Sequence, residues 1–161
     1  MTLLALVLVG GFISGTRHTS SSTEVLPQKV VTLVIDFGKK SQIPMKVITL
    51  NDVPATSTGW DMFGLAAVTI QGTDQFPTGF ACRIAGWPSK VAENCKKTPA
   101  YSAGHWAYFV TNSQLSASWV ISGVGASMHI PDCGGYEGWS WVAPGANAEP
   151  PRLKISRRGC K

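Results

Sequence analysis

The sequence predicts an α+β fold, predominantly antiparallel β with one short helix, in a single small domain. Three observations carry that prediction. The chain has 161 residues, within the range of roughly 100–200 usual for one domain. It is rich in Gly (17), Pro (10) and Trp (6), and only 14% of it is charged, against about 25% in an average soluble protein. Such a composition suits a compact, turn-rich domain better than a helical bundle. Finally, apolar residues recur with period two in several short stretches, the spacing that lines one face of a strand. The hydrophobic content of 44% excludes an intrinsically disordered chain. Beyond the N-terminal run no apolar stretch is long enough to span a bilayer, which excludes a polytopic membrane protein.

Leu3 to Ile13 is uncharged and apolar, the length of a signal-peptide core and short for a membrane span. Residues 1–15 are therefore expected to be a signal peptide or N-terminal anchor, with cleavage near Ser14-Gly15. Any membrane contact would come through this segment if it is left uncleaved. Residues 16–28, rich in Ser and Thr, read as a linker. The folded body is expected over 29–143, and 144–161 reads as a basic C-terminal tail.

Within the body, Val31, Leu33, Ile35 and Phe37 alternate over Lys29–Phe37 and predict the first strand. Gly38 to Ser41 is a turn, and Ile43 to Leu50 returns as a second strand, with Pro44 favouring an edge position. Thr56, Ser57 or Thr58 can cap a helix over Trp60–Ala66, on which Trp60, Phe63 and Ala67 share a face. Short strands follow near Val68–Gln71, Gly79–Ala85, His105–Thr111, Ser118–Ser122 and Tyr136–Val142.

The net charge of +5 is concentrated at the end of the chain. Arg152, Lys154, Arg157, Arg158 and Lys161 fall in the last ten residues without an acid. The remainder holds nine basic and nine acidic residues. The tail is expected to be solvated. No basic residues are interleaved with an aromatic platform, so no nucleic-acid partner is expected.

Four cysteines, Cys82, Cys95, Cys133 and Cys160, in a chain with an export signal read as disulfides. Three pairings are possible. Cys82 with Cys95 is favoured because it closes a short loop holding Pro88, and Cys133 with Cys160 is then the residual pair. No C-x-x-C spacing supports a metal, and no cofactor is expected. There is no G-x-S-x-G, H-E-x-x-H or P-loop. Gly125-Ala126-Ser127-Met128-His129 lacks the second glycine of a nucleophile elbow. His129 and Asp132 can pair locally around Pro131. The sequence thus predicts no catalytic residues and a protein that is not an enzyme.

Trp106 and Tyr108 share one strand face, as do Trp119 and Ile121, and Trp139 and Trp141. Most of these must be core, because a domain of this size needs large apolar side chains to bury. Trp60 and Trp87, near a helix start and in a loop, are less tied to that role.

Several segments in this order resemble a known family. They are Val34-Ile35-Asp36-Phe37-Gly38, Thr58-Gly59-Trp60-Asp61-Met62-Phe63, and Phe76-Pro77-Thr78-Gly79-Phe80-Ala81-Cys82-Arg83-Ile84 leading to Gly86-Trp87-Pro88. Trp106-Ala107-Tyr108, Trp119, Gly123 and Glu137-Gly138-Trp139-Ser140-Trp141 follow. The pattern resembles small secreted actinobacterial relatives of the transcobalamin-like C-terminal domain, the β-rich domain of the vitamin B12 carriers, over about 29–142. His105 stands where that pattern has an aromatic, and Cys133 and Cys160 are extra to it. The resemblance implies a secreted or cell-surface binding module that covers a ligand. Its implied partners are a helical-barrel or transporter-associated surface protein and a corrinoid-like small molecule.

Strand alternation puts Trp106 and Tyr108 on one face, with His105 and Phe109 on the other. One helix covers only one sheet face, so the second is expected to be partly open. Trp106 and Trp139 are then the expected core anchors, and Trp87, His105 and Phe109 the expected ligand-binding residues. The competing expectation is a structural or adhesion protein of the cell envelope without a small-molecule ligand.

Overall fold

A computed structural model describes residues 28–111 and 118–156. The expected signal peptide or anchor, the expected linker up to Pro27, and Arg157, Arg158, Cys160 and Lys161 lie outside those residues. The described elements are β1 (Gln28–Asp36), β2 (Lys46–Pro54), α1 (Asp61–Leu65), β3 (Ile70–Gly72), β4 (Ala81–Ile84), a 3-10 turn (Tyr101–Ala103), β5 (His105–Thr111), β6 (Trp119–Ile121) and β7 (Tyr136–Val142). Five strands form one sheet in the order β2-β1-β7-β5-β6, and β3 and β4 form a small second sheet. All pairings are antiparallel except β1 with β7. The fold is thus β-rich α+β, with one short helix among the described residues.

The inward phase of β1, Val31, Leu33 and Ile35, builds the main core with Phe37, Trp106 and Trp139. Met62 and Phe63 of α1 and Ile84 of β4 cover this front face of the sheet. Thr58 and Asp61 exchange hydrogen bonds at the helix start, Thr58 Oγ1 donating to Asp61 at 2.8 Å, which satisfies amides the helix leaves open. On β2 both Leu50 and Val53 are buried, which strict alternation forbids. A register shift opposite Lys29–Val31, with Asp52 at φ 58°, inserts an extra residue and turns both inward.

The back of the sheet is not left open, contrary to the sequence expectation. Residues 144–156 cross it as a strap instead of trailing into solvent. The Trp119 indole N–H donates to Leu153 O at 3.1 Å, and the Tyr136 hydroxyl donates to Ser156 O at 2.9 Å. Arg152 clamps Asp36 through Nε at 2.8 Å and Nη2 at 2.6 Å. Pro151 is buried beside Gly138, where a side chain would strike Trp119 and Pro151. Consequently the outward phase of β1, Thr32, Val34 and Asp36, is as buried as the inward one. Phe109 is likewise buried, at 5% exposure, in a second cluster with Ala107, Val142, Trp119 and Ala146. The expectation that it is exposed is therefore corrected: the strap and Trp119 supply the cover that a second helix would otherwise give.

The Cys82–Cys95 disulfide is present, with Cα atoms 5.6 Å apart. Cys133 is also disulfide-bonded. Its expected partner, Cys160, lies outside the described residues. Among the described residues, no helix is long and apolar enough to cross a membrane.

Candidate functional site

β1 and β7 run parallel and end side by side, and β5 starts at the same end. Phe37, one residue past β1, and Trp141, the last inward-phase residue of β7, carry their rings at this end of the sheet. A third aromatic is brought to them by a tight turn. Ile84 and Trp87 exchange backbone hydrogen bonds of 2.9 Å in both directions. Ala85 (φ 49°) and Gly86 (φ 81°) occupy the left-handed positions between them, the geometry of a two-residue type I′ turn. Trp87 meets Trp141 edge to face at 6.1 Å, Trp141 meets Trp106 at 5.5 Å, and Trp106 meets Phe37 at 5.6 Å. The Trp106 indole N–H donates to Trp87 O at 3.1 Å, which ties the loop to the core.

Arg83 holds the same loop from beneath. Its guanidinium is buried and donates to Pro88 O at 2.7 Å, to the Gln71 side chain and to Glu93 O. The disulfide sits beside it. Trp87 is therefore presented by a rigid loop, which limits the ordering cost a ligand would meet.

These aromatics floor a cleft of about 670 Å³, within the usual range for small-molecule sites. One wall is the β1–β2 turn with Lys39, Lys40 and Ser41; the other is the strap with Ala146, Asn147 and Glu149. Asp36 joins the two walls. Its carboxylate accepts from Gly38 N, Arg152 N, Arg152 Nε and Arg152 Nη2. Burial alone would raise its pKa, but these donors outweigh it and hold the carboxyl below its ordinary value. Lys39 and Glu149 pair across the rim at 3.2 Å, both 70% exposed.

A smaller cavity of about 290 Å³ adjoins it and shares Trp87, Trp141 and Pro144 as walls. His105 lines this cavity, and burial lowers its pKa, favouring the neutral ring. Two of the three sequence-predicted ligand residues, Trp87 and His105, thus meet at one cavity. Phe109 lines neither. Trp106 and Trp139 lie in the main core.

A second polar site lies on the front face. Glu137, only 1% exposed, accepts a hydrogen bond from the Tyr108 hydroxyl and faces His129 Nε2 at 3.3 Å. Burial pushes the Glu137 pKa up, and the hydrogen bond to Glu137 pushes His129 up. Asp132 is close enough to favour the protonated His129 as well. Lys29 Nζ donates to Pro131 O at 2.6 Å and Ala55 O at 3.0 Å. Gly59 is required here, because a Cβ would collide with the Tyr108 hydroxyl and the Glu137 carboxylate. Neither cavity is lined by this cluster. It reads as a polar tie joining β5, β7 and the loop before β7.

Sequence reasoning missed Glu137 as a buried anchor, although it shares its strand phase with Trp139 and Trp141. It also missed Phe37, Trp141 and the two rim lysines as cleft residues. Comparisons with family models, with curated proteins and with solved structures found no match to this chain.

Proposed function

We propose that this protein is a secreted or cell-surface binding module that takes a small ligand, or a projecting group of an adjoining protein, in the Trp87–Trp141 cleft. The carrying observation is the cleft itself, with three aromatic rings converging on about 670 Å³ at the end of the five-stranded sheet, beside a disulfide-stapled loop. The disulfide supports an oxidising, extracytoplasmic setting. The transcobalamin-like resemblance supports a ligand-covering role and makes a corrinoid the first ligand to try.

A titration of intrinsic tryptophan fluorescence with cyanocobalamin tests this reading. Saturable quenching is expected, and Asn147→Trp, which places a large side chain at the mouth, should abolish it. Retention on washed cell walls without saturable quenching by any small molecule would favour a structural or adhesion protein instead. One observation speaks for that second reading. Val120, Ile121, Val124, Met128 and Ile130 are each about half exposed or more, a run of apolar side chains suited to a macromolecular contact.

A further inference from the structure

We infer that the cleft selects an anionic ligand with an apolar ring system, its rings held against Phe37, Trp87 and Trp141 and its charge met by Lys40. This inference rests on the binding reading above and names the chemistry of the ligand.

The charge balance of the walls carries it. Both carboxylates of the larger cavity are ion-paired, and the third, Glu93, lines only the smaller one. Asp36 is saturated by Arg152 and the Gly38 amide. Glu149 faces Lys39, and Glu93 accepts from the Cys95 amide at 2.9 Å. The cations are not equally committed. Among the described residues Lys40 makes no ion pair. Lys39 stays with Glu149 and Arg152 with Asp36. The larger cavity thus carries three cations against two carboxylates, and the Lys40 ammonium is the surplus charge beside the aromatic floor. In a concave site such a rim concentrates anions.

The floor sets the rest of the chemistry. Trp87 walls both cavities, and Phe37 and Trp141 complete the floor of the larger one. The neutral His105 in the smaller cavity adds a donor or acceptor without adding charge. A ligand spanning both cavities thus needs apolar rings and an acidic group at the Lys39–Lys40 turn.

A matched pair of fluorescent probes tests this on the full chain. 1-Anilinonaphthalene-8-sulfonate carries a naphthyl ring, a phenyl ring and an anion, and N-phenyl-1-naphthylamine has the same rings without the anion. Binding is read by energy transfer from tryptophan. The anionic probe should bind about tenfold more tightly, and its affinity should fall as salt is raised. Lys40→Glu should weaken the anionic probe about tenfold and leave the neutral one unchanged, whereas Lys97→Glu, away from the cleft, should alter neither. If the neutral probe binds as well as the anionic one, or Lys40→Glu and Lys97→Glu act alike, anion selection is wrong while the aromatic cleft stands. If neither probe gives saturable transfer that Asn147→Trp abolishes, the cleft reading falls and this inference falls with it.

Discussion

Asp36 and Glu137 are buried to the same degree, each 1% exposed, on the two parallel strands at the centre of the sheet. Asp36 sits on the back of β1 at the cleft end, and Glu137 on the front of β7. Burial penalises both charges, yet their proton affinities move in opposite directions. Asp36 is held below its ordinary pKa and Glu137 above it. The difference lies in the donors. Asp36 receives a full guanidinium charge and two backbone amides, whereas Glu137 receives a neutral phenol and a histidine whose own charge depends on pH. Equal burial therefore gives a permanent anion at one end of the sheet and a proton-sharing cluster further back along it. The first suits a rigid joint between two cleft walls; the second is a core tie whose strength varies with pH.

The largest effect should come from removing the proton-sharing end. Glu137→Ala leaves the Tyr108 hydroxyl and Lys29 without their acceptor or counter-charge and opens a void, and should cost about 3 kcal/mol or more in denaturant unfolding. Gly59→Ala should damage the same cluster from outside, because its methyl group would have to displace the hydroxyl and the carboxylate. At the cleft end, replacing Cys82 and Cys95 together by Ala should cost about 2–4 kcal/mol, mainly by freeing the unfolded chain. Asp36→Asn should cost less, about 1–3 kcal/mol, but it should act locally. Proteolysis within 144–156 should accelerate much more than cleavage elsewhere, and equal acceleration throughout would show that Asp36 is not the joint between strap and turn.

The smallest effect, and the most direct test of the contrast, is in pH. The stabilising contribution of Asp36 is present above its ordinary value of 3.8 and is lost as pH falls through its lower folded value. The Glu137–His129 pair acts with the opposite sign. Both folded values are raised from 4.5 and 6.5, so the contribution is complete at the acid side and declines as pH rises through the folded values. Urea midpoints measured from pH 3 to pH 9 should fall at both ends. Asp36→Asn should flatten the acid limb, and His129→Gln should flatten the decline above about pH 6.5. A variant that flattens the other limb would reverse the assignment.

Much of the strand pattern was legible because periodicity reports burial directly. β5 and β7 fall on the residues their alternation predicts, and Trp106 and Tyr108 of β5 face Trp141 and Trp139 of β7 on one side of the sheet. β2 was misplaced toward Ile43, because its bulge at Asp52 breaks the alternation that would have extended it to Pro54. The strap was missed for a different reason. Its composition is that of a tail, and what orders it is pairing with distant residues: Arg152 with Asp36, and the Leu153 carbonyl with Trp119. Trp87 was legible as a loop aromatic, but its meeting with Trp141 depends on the turn at Ala85-Gly86 and on the Arg83 hydrogen bonds beneath. The rim lysines were read only as turn residues, since their significance needs the strap wall opposite them.

The parallel pairing of β1 with β7 has a consequence for how the chain reaches this structure. The first and last described strands lie side by side in the middle of the sheet, so the contacts at its centre join residues about a hundred positions apart, Leu33 with Glu137 for example. No fragment ending before β7 can assemble the sheet, because β1 would then face an empty lane and β5 would have no partner on its inner side. Such long-range closure folds slowly compared with a chain of hairpins. During synthesis the sheet must stay open until β7 and the strap have emerged, and its permanent anion and its cleft come into being together, once they arrive.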